Sequence, residues 1–311
     1  MDTAAVERFE AGRNRLASLA YRLLGSAADA EDTVQDAFLR WQAADRDRIE
    51  VPEAWLTKVV TNLALDRLRS AKVRHERAAG AWLPEPLLDG DPMLGPADTV
   101  EQRESVTLAV LTLLERLAPV ERAVYVLREA FSYSHLEIAG ILDLTESASK
   151  QHAHRARCRI AAERNGGEVD RASAHRIVEA FVDAASSGRT ERLVALLTDD
   201  ATAVSDGAGT SRKLLHYTGP EQLAAVMRGA FKPTPAKRKL AGGSPGIYAG
   251  VVNGCPAVIA AFDDRVVGVM ILEIRDDKIA AGYGMAGPAR LCRINEQWLR
   301  REHDEPLIAS W

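Results

Sequence analysis

The chain has 311 residues, of which 47% are hydrophobic and 27% charged, and a formal net charge of −4, so it suits two or three globular domains better than one. No stretch approaches about 18 consecutive apolar residues, so we expect a soluble, cytoplasmic protein with no membrane partner. The three cysteines, Cys158, Cys255 and Cys292, form no CxxC pair, which argues against a disulfide framework, a zinc site or a redox switch.

The first informative element is an amphipathic helix predicted over Ala28–Trp41. Its apolar residues recur at three- and four-residue spacing and form one stripe: Ala30, Val34, Phe38 and Trp41. The other faces carry polar side chains, namely Asp29, Asp32, Gln35, Asp36 and Arg40. Without further information, this pattern is typical of a solvated acidic face.

A second helix is predicted from about Glu53 to Ser70. We expect it to bury Trp55, Leu56, Val59, Leu63 and Leu68 and to expose Lys58, Asn62, Asp66, Arg67 and Arg69. Basic side chains on one face suit phosphates, and an asparagine offers a donor and an acceptor to a base edge. The simpler alternative is that Asn62 and Asp66, one turn apart, hydrogen-bond each other.

The order of these two segments resembles the promoter-melting domain of extracytoplasmic-function (ECF) sigma factors. The resemblance implies that Asp29, Asp32, Gln35, Asp36 and Arg40 dock on the clamp of core RNA polymerase. It also implies −10 element contacts by Lys58, Asn62, Asp66, Arg67 and Arg69. The loop Ala44–Pro52 would receive a base flipped from the melted strand, at a cost of a few kcal/mol.

A proline-rich linker is predicted from about Glu76 to Pro96. It contains an unusually apolar run, which we expect to be buried: Trp82, Leu83, Pro84, Pro86 and Leu87. Packing on either neighbouring sigma domain is one explanation. The run Trp-Leu-Pro-Glu-Pro-Leu also resembles the signature of the ECF41 group, whose C-terminal extension touches this linker.

A helix-turn-helix is predicted after Leu117–Val124, which opens a helical region. Its first helix covers Tyr133–Leu142, the turn is Asp143-Leu144, and Thr145 is a candidate N-cap of the second helix. In that second helix Ser149, Ala153, Ala156 and Ile160 fall on the inward face. Ser147, Lys150, Gln151, His154 and Arg155 share the outward face that a major-groove reader needs.

The second helix resembles the ECF helix that reads the −35 element. The resemblance assigns DNA contacts to Ser147, Lys150, Gln151, His154, Arg155 and Arg157. Ser149 replaces a usual apolar residue, which predicts looser helix packing. The basic cluster formed by Lys150, Arg155, Arg157, Arg159 and Arg164 faces a single nearby Glu163, so local phosphate attraction is expected despite the net charge of −4. His152 and His154 lack cysteine or histidine neighbours, so phosphate contact is favoured over a metal site.

The C-terminal half is predicted to contain helices over Asp170–Ser187, Arg189–Leu197 and Pro220–Gly229, and a strand near Ala201–Val204. A strand meander follows over Ile247–Val252, Pro256–Phe262, Arg265–Ile274 and Lys278–Tyr283, with Asn253-Gly254 as a strong hairpin signal. This order resembles the SnoaL-like, NTF2-like cone fold that ECF41 factors carry.

Two short motifs of that extension have partial counterparts here. Asp206, Gly207, Gly209 and Lys213 echo Asp-Gly-Gly-Gly-Lys, and their charges are candidates for pinning the domain to its neighbours; a plain surface turn is the alternative. The second motif, Asn-Pro-Asp-Lys-Leu, is echoed only by Asn295 and Leu299.

The sequence therefore predicts two all-α sigma domains, the second a helix-turn-helix, and a C-terminal α+β cone-shaped SnoaL/NTF2-like domain. The predicted limits are 1–75, a linker over 76–105, 106–165, 170–300 and a tail over 301–311. The predicted function is promoter-specific transcription initiation with core RNA polymerase and promoter DNA, controlled by the fused C-terminal domain without a separate anti-sigma factor.

Two other functions stay open at this stage. One is a ligand-responsive helix-turn-helix regulator that acts without core polymerase. The other is a SnoaL-type cyclase or isomerase, for which the available acid/base side chains are Asp199, Asp200, Asp206, His216 and Tyr217. Because these side chains form no recognisable catalytic pair in the sequence, we expect no enzyme activity, no cofactor and no metal. Instead of catalysis, the cone is expected to hold a small-molecule ligand without turnover.

Overall fold

The computed structural model describes residues 3–75, 83–95, 102, 105–161, 171–209 and 213–311. The chain divides into two compact units: Met1–Ala79 with Gly90–Arg164, and Gly80–Asp89 with Asn165–Trp311. Trp82, Glu163 and Arg164, named above, lie outside the described residues. None of the described helices is long and apolar enough to cross a membrane.

The first unit opens with three helices, α1 (Thr3–Leu24), α2 (Ala27–Ala43) and α3 (Pro52–His75). The apolar stripe predicted for α2 is confirmed, because Ala30, Val34 and Trp41 are buried. Phe38 is half-buried and packs its ring 4.9 Å from that of Phe9 on α1. The indole of Trp41 also donates to the carbonyl of Ala5 at 2.9 Å, which ties the end of α2 to the start of α1.

The buried face of α3 differs in part from the prediction. Leu56 and Leu63 are buried as expected, but Trp55, Val59 and Leu68 are only half-buried. The remaining buried positions of this helix include Val60, Ala64 and Leu65. The stripe is displaced because α3 packs against both α1 and α2 and also against helices of the second half of this unit, which widens the covered face.

In the described part of the first unit that follows residue 105, the helices are α4 (Leu108–Leu114), α5 (Pro119–Glu129), α6 (His135–Leu142) and α7 (Glu146–Ala161). Helix α6 begins two residues later than predicted, because Ser134 and Glu137 form a capping box. Asp143 ends α6 in the left-handed conformation, with φ 54°. The predicted N-cap Thr145 is confirmed, since its hydroxyl accepts the N–H of Ala148 at 3.1 Å.

The second unit combines helices with one six-stranded sheet. Its helices are α8 (Arg171–Ser186), α9 (Thr190–Leu196), α10 (Pro220–Phe231), α11 (Pro235–Ala241) and α12 (Cys292–Trp298). Its strands are β1 (Leu197–Ser205), β2 (Leu215–Thr218), β3 (Gly246–Val252), β4 (Cys255–Phe262), β5 (Arg265–Arg275) and β6 (Lys278–Met285).

The strand order is β2-β1-β6-β5-β4-β3, with β1 parallel to β6 and all other neighbours antiparallel. The predicted meander β3–β6 is confirmed, and Asn253-Gly254 forms its first turn with positive φ at both residues. Helices α8 and α10 pack on this sheet through Val178, Phe181 and Phe231. The result is the α+β fold that was predicted for the C-terminal domain.

The C-terminal tail is part of this unit. Ile308 pairs with Ile247 of β3 through two backbone hydrogen bonds, and the N–H of Trp311 donates to the carbonyl of Pro245. The indole of Trp311 donates to the carbonyl of Phe231 at the end of α10. The tail therefore extends the edge of the sheet next to β3.

Candidate functional site

The acidic surface predicted on α2 is present, and an arginine of α3 lies on it. Asp29 and Asp32 are exposed and Asp36 is half-buried; Gln35 and Arg40 are also exposed. The Arg67 guanidinium lies 2.9 Å from an oxygen of Asp36, 3.5 Å from Asp29 and 3.9 Å from Asp32. Arg67 was predicted to face DNA. In the structure it lies on the acidic surface, where its positive charge offsets one of the three negative charges of Asp29, Asp32 and Asp36.

The other polar side chains of α3 make local or cross-domain contacts. Asp66 pairs with Arg69 at 3.1 Å within the helix, and Asn62 is half-buried. The Lys58 ammonium donates to Asp143 at 2.7 Å and to the carbonyl of Gly140 at 3.1 Å. Both acceptors belong to the helix-turn-helix, so a side chain predicted to contact the −10 element is hydrogen-bonded to the end of α6 and the turn that follows it.

The loop between α5 and α6 provides a second contact between the helices α1–α3 and the helix-turn-helix. The Tyr133 hydroxyl accepts a hydrogen bond from Arg15 of α1 at 2.8 Å and shares one with Thr57 of α3 at 3.1 Å. The Arg15 guanidinium also stacks 5.3 Å from the rings of Phe131 and Tyr133. We call Arg15, Thr57, Phe131 and Tyr133 the tyrosine cluster.

A buried arginine joins α1 to the segment that precedes α4. Arg22 is 0% exposed, and its guanidinium donates to the Ser105 hydroxyl at 2.9 Å and to the carbonyls of Leu94 and Gln102 at 2.7 and 3.3 Å. It also donates to Ser18. Burial lowers the pKa of Arg22 to about 10. These four acceptors are neutral, so Arg22 fixes the path of the chain through hydrogen bonds to backbone and hydroxyl groups.

The inward and outward faces predicted for α7 are confirmed. Ser149, Ala153, Ala156 and Ile160 are all buried, whereas Ser147, Lys150, Gln151, His154 and Arg155 are exposed. The prediction of looser packing at Ser149 is wrong. This side chain is 0% exposed and hydrogen-bonds the Nδ1 atom of His135 at 3.0 Å, so a polar pair replaces the apolar contact between α6 and α7.

Lys150 of the basic cluster pairs with Glu146 of the same helix at 2.6 Å, whereas three arginines of the cluster pair with carboxylates of α5. Glu121 of α5, 5% exposed, accepts from Arg155 at 2.7 Å and Arg159 at 2.8 Å, and Glu129 pairs with Arg157 at 2.6 Å. Burial alone would raise the pKa of Glu121, but the hydrogen bond from Arg155 and the charge of Arg159 lower it. The expectation of a single opposing carboxylate is therefore corrected.

The apolar run of the linker folds onto the C-terminal domain. Leu83 and Leu87 are 0% exposed, and Pro84 and Pro86 are also buried. The backbone of Leu87 exchanges two hydrogen bonds of 2.9 Å with Asn253, one to the side-chain amide oxygen and one from the backbone N–H. We call residues 83–89 the strap.

Three further contacts hold the strap. The Leu88 N–H donates to the Gln297 amide oxygen at 3.0 Å, the Asp89 N–H donates to Val251, and Arg290 donates to the carbonyl of Leu83. Gln297 and Arg290 were not identified from the sequence, and Asn253 was identified only as a turn residue. The sequence shows Asn253 only as the first residue of an Asn-Gly turn; its burial, which is the sign of a further role, is visible only in the structure.

Asp206 stabilises its own domain. Its carboxylate is 6% exposed and accepts the N–H groups of Ala208, Ala286 and Gly287 at 2.9 to 3.2 Å, and Arg290 approaches it at 4.0 Å. Gly207 and Gly209 lie in a short 3-10 turn directly after it, and Lys213 is exposed. The motif is thus built around a buried carboxylate that fixes the loop after β6.

The cone of the C-terminal domain encloses a cavity of about 810 Å³. Its walls come from β4, β5, the ends of β1 and β6, and helices α10 to α12. Of the acid/base candidates, Asp206 lines the cavity, whereas Asp199, Asp200, His216 and Tyr217 do not, and Asp200 instead pairs with Arg275. The described residues contain no group of three or more His, Cys, Asp or Glu side chains suited to a metal ion.

Known proteins resemble this chain both region by region and over most of its length. Residues 8–74 match the Sigma-70 region 2 family and residues 107–160 match the Sigma-70 region 4 family. The ECF RNA polymerase sigma factor SigJ of Mycobacterium tuberculosis is 35% identical, with 91% of this chain and 92% of SigJ covered. The probable ECF sigma factor SigI of the same species is 32% identical over 91% of this chain and 93% of its own.

The crystal structure of M. tuberculosis SigJ has the same architecture. It superimposes with a TM-score of 0.69 at 30% sequence identity and covers 92% of this chain and 97% of its own. The two family matches fall on α1–α3 and on α4–α7, the regions whose surfaces are described above. The chain therefore belongs to the extracytoplasmic-function family of RNA polymerase sigma factors and, like SigJ, continues past its two Sigma-70 regions into a C-terminal domain.

Proposed function

We propose that this sigma factor alternates between the closed arrangement of its two sigma regions and an open arrangement that engages polymerase, and that its C-terminal domain controls the alternation. The observation that carries the proposal is the Lys58 contact, because a residue suited to promoter phosphates is bound to Asp143 and Gly140 of the helix-turn-helix. Reading the −10 and −35 elements together requires the two regions to separate.

The closed arrangement is held weakly enough to be reversed. The side chains of Lys58 and Asp143 are 38% and 76% exposed, and an exposed pair of this kind contributes about 0–1 kcal/mol. The hydrogen bonds of the tyrosine cluster add about 0.5–1.5 kcal/mol each. Such a total is within the few kcal/mol that a binding partner can overcome by preferring the open state.

Through the strap, the C-terminal domain influences the equilibrium between the closed and open arrangements. It lies in the chain segment that joins α3 to α4, so every residue fixed on the C-terminal domain is unavailable to span the gap between separated sigma regions. Release of residues 83–89 lengthens the free connection. The domain thus supplies the restraint from within the chain, and we propose that no separate anti-sigma factor is needed.

The contact surfaces follow from the same arrangement. We assign polymerase binding to Asp29, Asp32, Gln35, Asp36 and Arg40, with Arg67 orienting the acidic surface. Lys58, Asn62, Asp66 and Arg69 are assigned to the −10 element, and Ser147, Lys150, Gln151, His154, Arg155 and Arg157 to the −35 element. A factor with these two partners acts in the cytoplasm.

Run-off transcription with core polymerase and a genomic promoter library tests the control. Asn253→Gly removes the acceptor of the Leu87 N–H while glycine keeps the positive φ of 51° at this turn. Asp276→Gly, at the equivalent position of the β5–β6 turn with φ 52°, is the matched control. We expect more promoter-specific transcript from Asn253→Gly and no change from Asp276→Gly.

Two outcomes count against the proposal in different ways. Equal transcription by both variants would remove the strap from the control mechanism. No promoter-specific transcript from any folded version, together with failure to retain core polymerase in a pull-down, would favour the regulator that acts without polymerase.

The cavity supports a second proposal, that the C-terminal domain binds a small molecule without turnover. Its volume falls within the roughly 300–1,000 Å³ of small-molecule sites. The acid/base candidates do not converge on it, which disfavours the cyclase or isomerase alternative.

A further inference from the structure

We propose that the cavity of the C-terminal domain binds an elongated apolar molecule that carries one anionic group, of the kind represented by a medium-chain fatty acid, and that Arg265 holds the anion. The proposal deepens the small-molecule binding proposed above, and rests on the proposed control by the C-terminal domain only for its effect on transcription.

The cavity walls are largely aliphatic. They are formed by side chains from both strands of the β4–β5 hairpin and from α10 and α11, including Phe231, Leu240, Val258, Val269 and Met270. Transfer of an alkyl chain from water into such a space contributes about 0.8 kcal/mol per buried CH₂ group. A ligand must therefore present mainly hydrocarbon to the interior.

Three polar side chains of the lining already have partners inside the protein. The Asp206 carboxylate accepts three backbone N–H groups, as described above. The Lys237 ammonium donates to the carbonyls of Gly229, Ala230 and Lys232 and so caps the end of α10. Asn295 bonds both backbone polar groups of Val266. None of the three is available to a ligand without breaking the local structure.

Unlike these three side chains, Arg265 has a charged group that is available to a ligand. Its guanidinium stacks 5.0 Å from the ring of Phe262 and, within the described part of the chain, forms no ion pair. Gly242 makes room for it: a Cβ atom at this position would lie 2.7 Å from the Arg265 Nη2 atom, and its φ of +84° also favours glycine. An unpaired cation thus lies at the rim of an apolar cavity, where a carboxylate would gain a charge-assisted hydrogen bond.

The residues that line the cavity are connected to those that hold the strap. Asn295 lies on α12 together with Gln297, which accepts the Leu88 N–H. Arg290, which binds the carbonyl of Leu83, belongs to the loop whose neighbours Pro288 and Leu291 line the cavity. Because a ligand contacts the same loop and helix, its binding changes the affinity of the domain for the strap.

Calorimetric titration of the full chain with laurate, below its micelle concentration, tests the assignment. Dodecanol and dodecyltrimethylammonium have the same chain with a neutral and a cationic head. We expect laurate to bind at least about tenfold more tightly than either, the scale of one charge-assisted contact worth about 1.4 kcal/mol. Arg265→Gln should remove this preference, and Arg265→Lys should retain part of it.

Two further variants separate the cavity from the surface. Arg238→Gln makes the same charge change on α11 outside the lining and should leave laurate binding unchanged. Ala260→Trp fills the cavity and should abolish binding of laurate and dodecanol alike, with the thermal midpoint of unfolding confirming that the variant folds.

Several results would overturn the assignment. These are no laurate binding at all, equal binding of laurate and dodecanol, an unchanged laurate affinity in Arg265→Gln, or an unchanged affinity in a folded Ala260→Trp. None of them affects the proposed control by the strap, which the Asn253→Gly transcription experiment tests without any ligand. Laurate binding without any change in transcription would confirm the site and remove its regulatory consequence.

Discussion

Glu121 shows how one buried carboxylate can set the charge that the recognition helix presents. It pairs with Arg155 and Arg159, and Glu129 pairs with Arg157, so three cations of α7 are offset by residues of α5. An arginine held by a carboxylate must exchange that partner for a DNA phosphate, and the exchange reduces the net gain from counterion release. We therefore expect the free protein to have a weaker attraction to DNA than its count of arginines indicates.

Glu121→Gln is expected to strengthen non-specific DNA binding by the full chain. The substitution keeps the shape of the side chain, removes its charge and frees Arg155 and Arg159 for phosphates. Each added phosphate contact steepens the slope of log affinity against log salt by about one, so we expect a change of about two. Fluorescence anisotropy with a labelled duplex over a salt series measures it.

Glu129→Gln is the matched comparison, because it frees only Arg157 and should change the slope by about one. Identical slopes for the wild type and both variants would show that these pairs do not limit DNA contact.

Ser149 and His135 illustrate a polar pair that replaces apolar packing. The Ser149 hydroxyl is fully buried, so its hydrogen bond to His135 is required to offset loss of water. Burial, and then the positive charges of Arg128 and Lys150, lower the pKa of His135. The helix-turn-helix is thus most stable with this histidine neutral.

The stability of the first unit is expected to fall on acidification partly through His135. Because its folded pKa is below the ordinary value of about 6.5, the unfolded chain binds the proton more tightly. The contribution is therefore fully present above about pH 6.5 and is lost as pH falls toward the folded pKa. Thermal unfolding at pH 7.5 and 5.5 should show a smaller loss in His135→Gln than in the wild type. An equal loss would assign the acid sensitivity to other groups.

At the scale of single elements, the strap is a short extended segment that owes its position to side chains far away in sequence. Asn253, Gln297 and Arg290 each satisfy a backbone group of residues 83–88. Buried backbone polar groups need such partners. An extended segment with one isolated bridge to Val252 and no regular ladder depends on those side chains individually.

Loss of the Asn253 acceptor is expected to loosen the strap locally. In Asn253→Gly the Leu87 N–H is left without its 2.9 Å acceptor, which costs about 1–3 kcal/mol when the group stays buried. Amide hydrogen exchange at Leu87 and Leu88 should accelerate by at least about tenfold, whereas Asp276→Gly should leave it unchanged. Unchanged exchange in Asn253→Gly would mean that other contacts determine the opening of this segment.

The elements with strong local patterns were predictable and those with distant partners were not. Periodicity identified α2, the two faces of α7 and the β3–β6 meander, because each pattern is contained within one or two neighbouring elements. The short elements β2, α11 and α12 were missed, as was the parallel pairing of β1 with β6, since no local signal encodes a partner some 80 residues away.

In the candidate surfaces, too, features with a local sequence pattern were predictable and those that depend on distant partners were not. Which residues of α7 point outward followed from spacing, but their pairing with α5 depended on tertiary structure. The ion pair of Arg67 with Asp36 was likewise not predicted, because a helix face alone does not reveal which neighbouring helix it meets. The strap was correctly singled out as too apolar for a solvated tether, although its anchors Gln297 and Arg290 carry no distinctive local pattern.

At the scale of the whole molecule, the first unit holds its two sigma regions together through few polar contacts. The tyrosine cluster and the Lys58–Asp143 pair link α1 and α3 to the helix-turn-helix. These polar contacts contribute a few kcal/mol to the proposed closed arrangement, in addition to the packing of α3 on α5 and α6, so we expect changes in them to shift the populations of the closed and open arrangements.

Tyr133→Phe is the sharpest test of the equilibrium between the closed and open arrangements. The substitution keeps the ring that stacks on Arg15 but removes the hydroxyl bonded to Arg15 and Thr57, for a loss of about 1–3 kcal/mol. The open population should rise about 5–150-fold, read as lower energy transfer between fluorophores at Gln42 and Leu136 and as faster association with core polymerase. Tyr217→Phe, in the other unit, should change neither quantity. If Tyr133→Phe also changes neither, the tyrosine cluster does not restrain the sigma regions, and the closed arrangement must depend on contacts such as Lys58–Asp143, which Asp143→Asn would then disrupt.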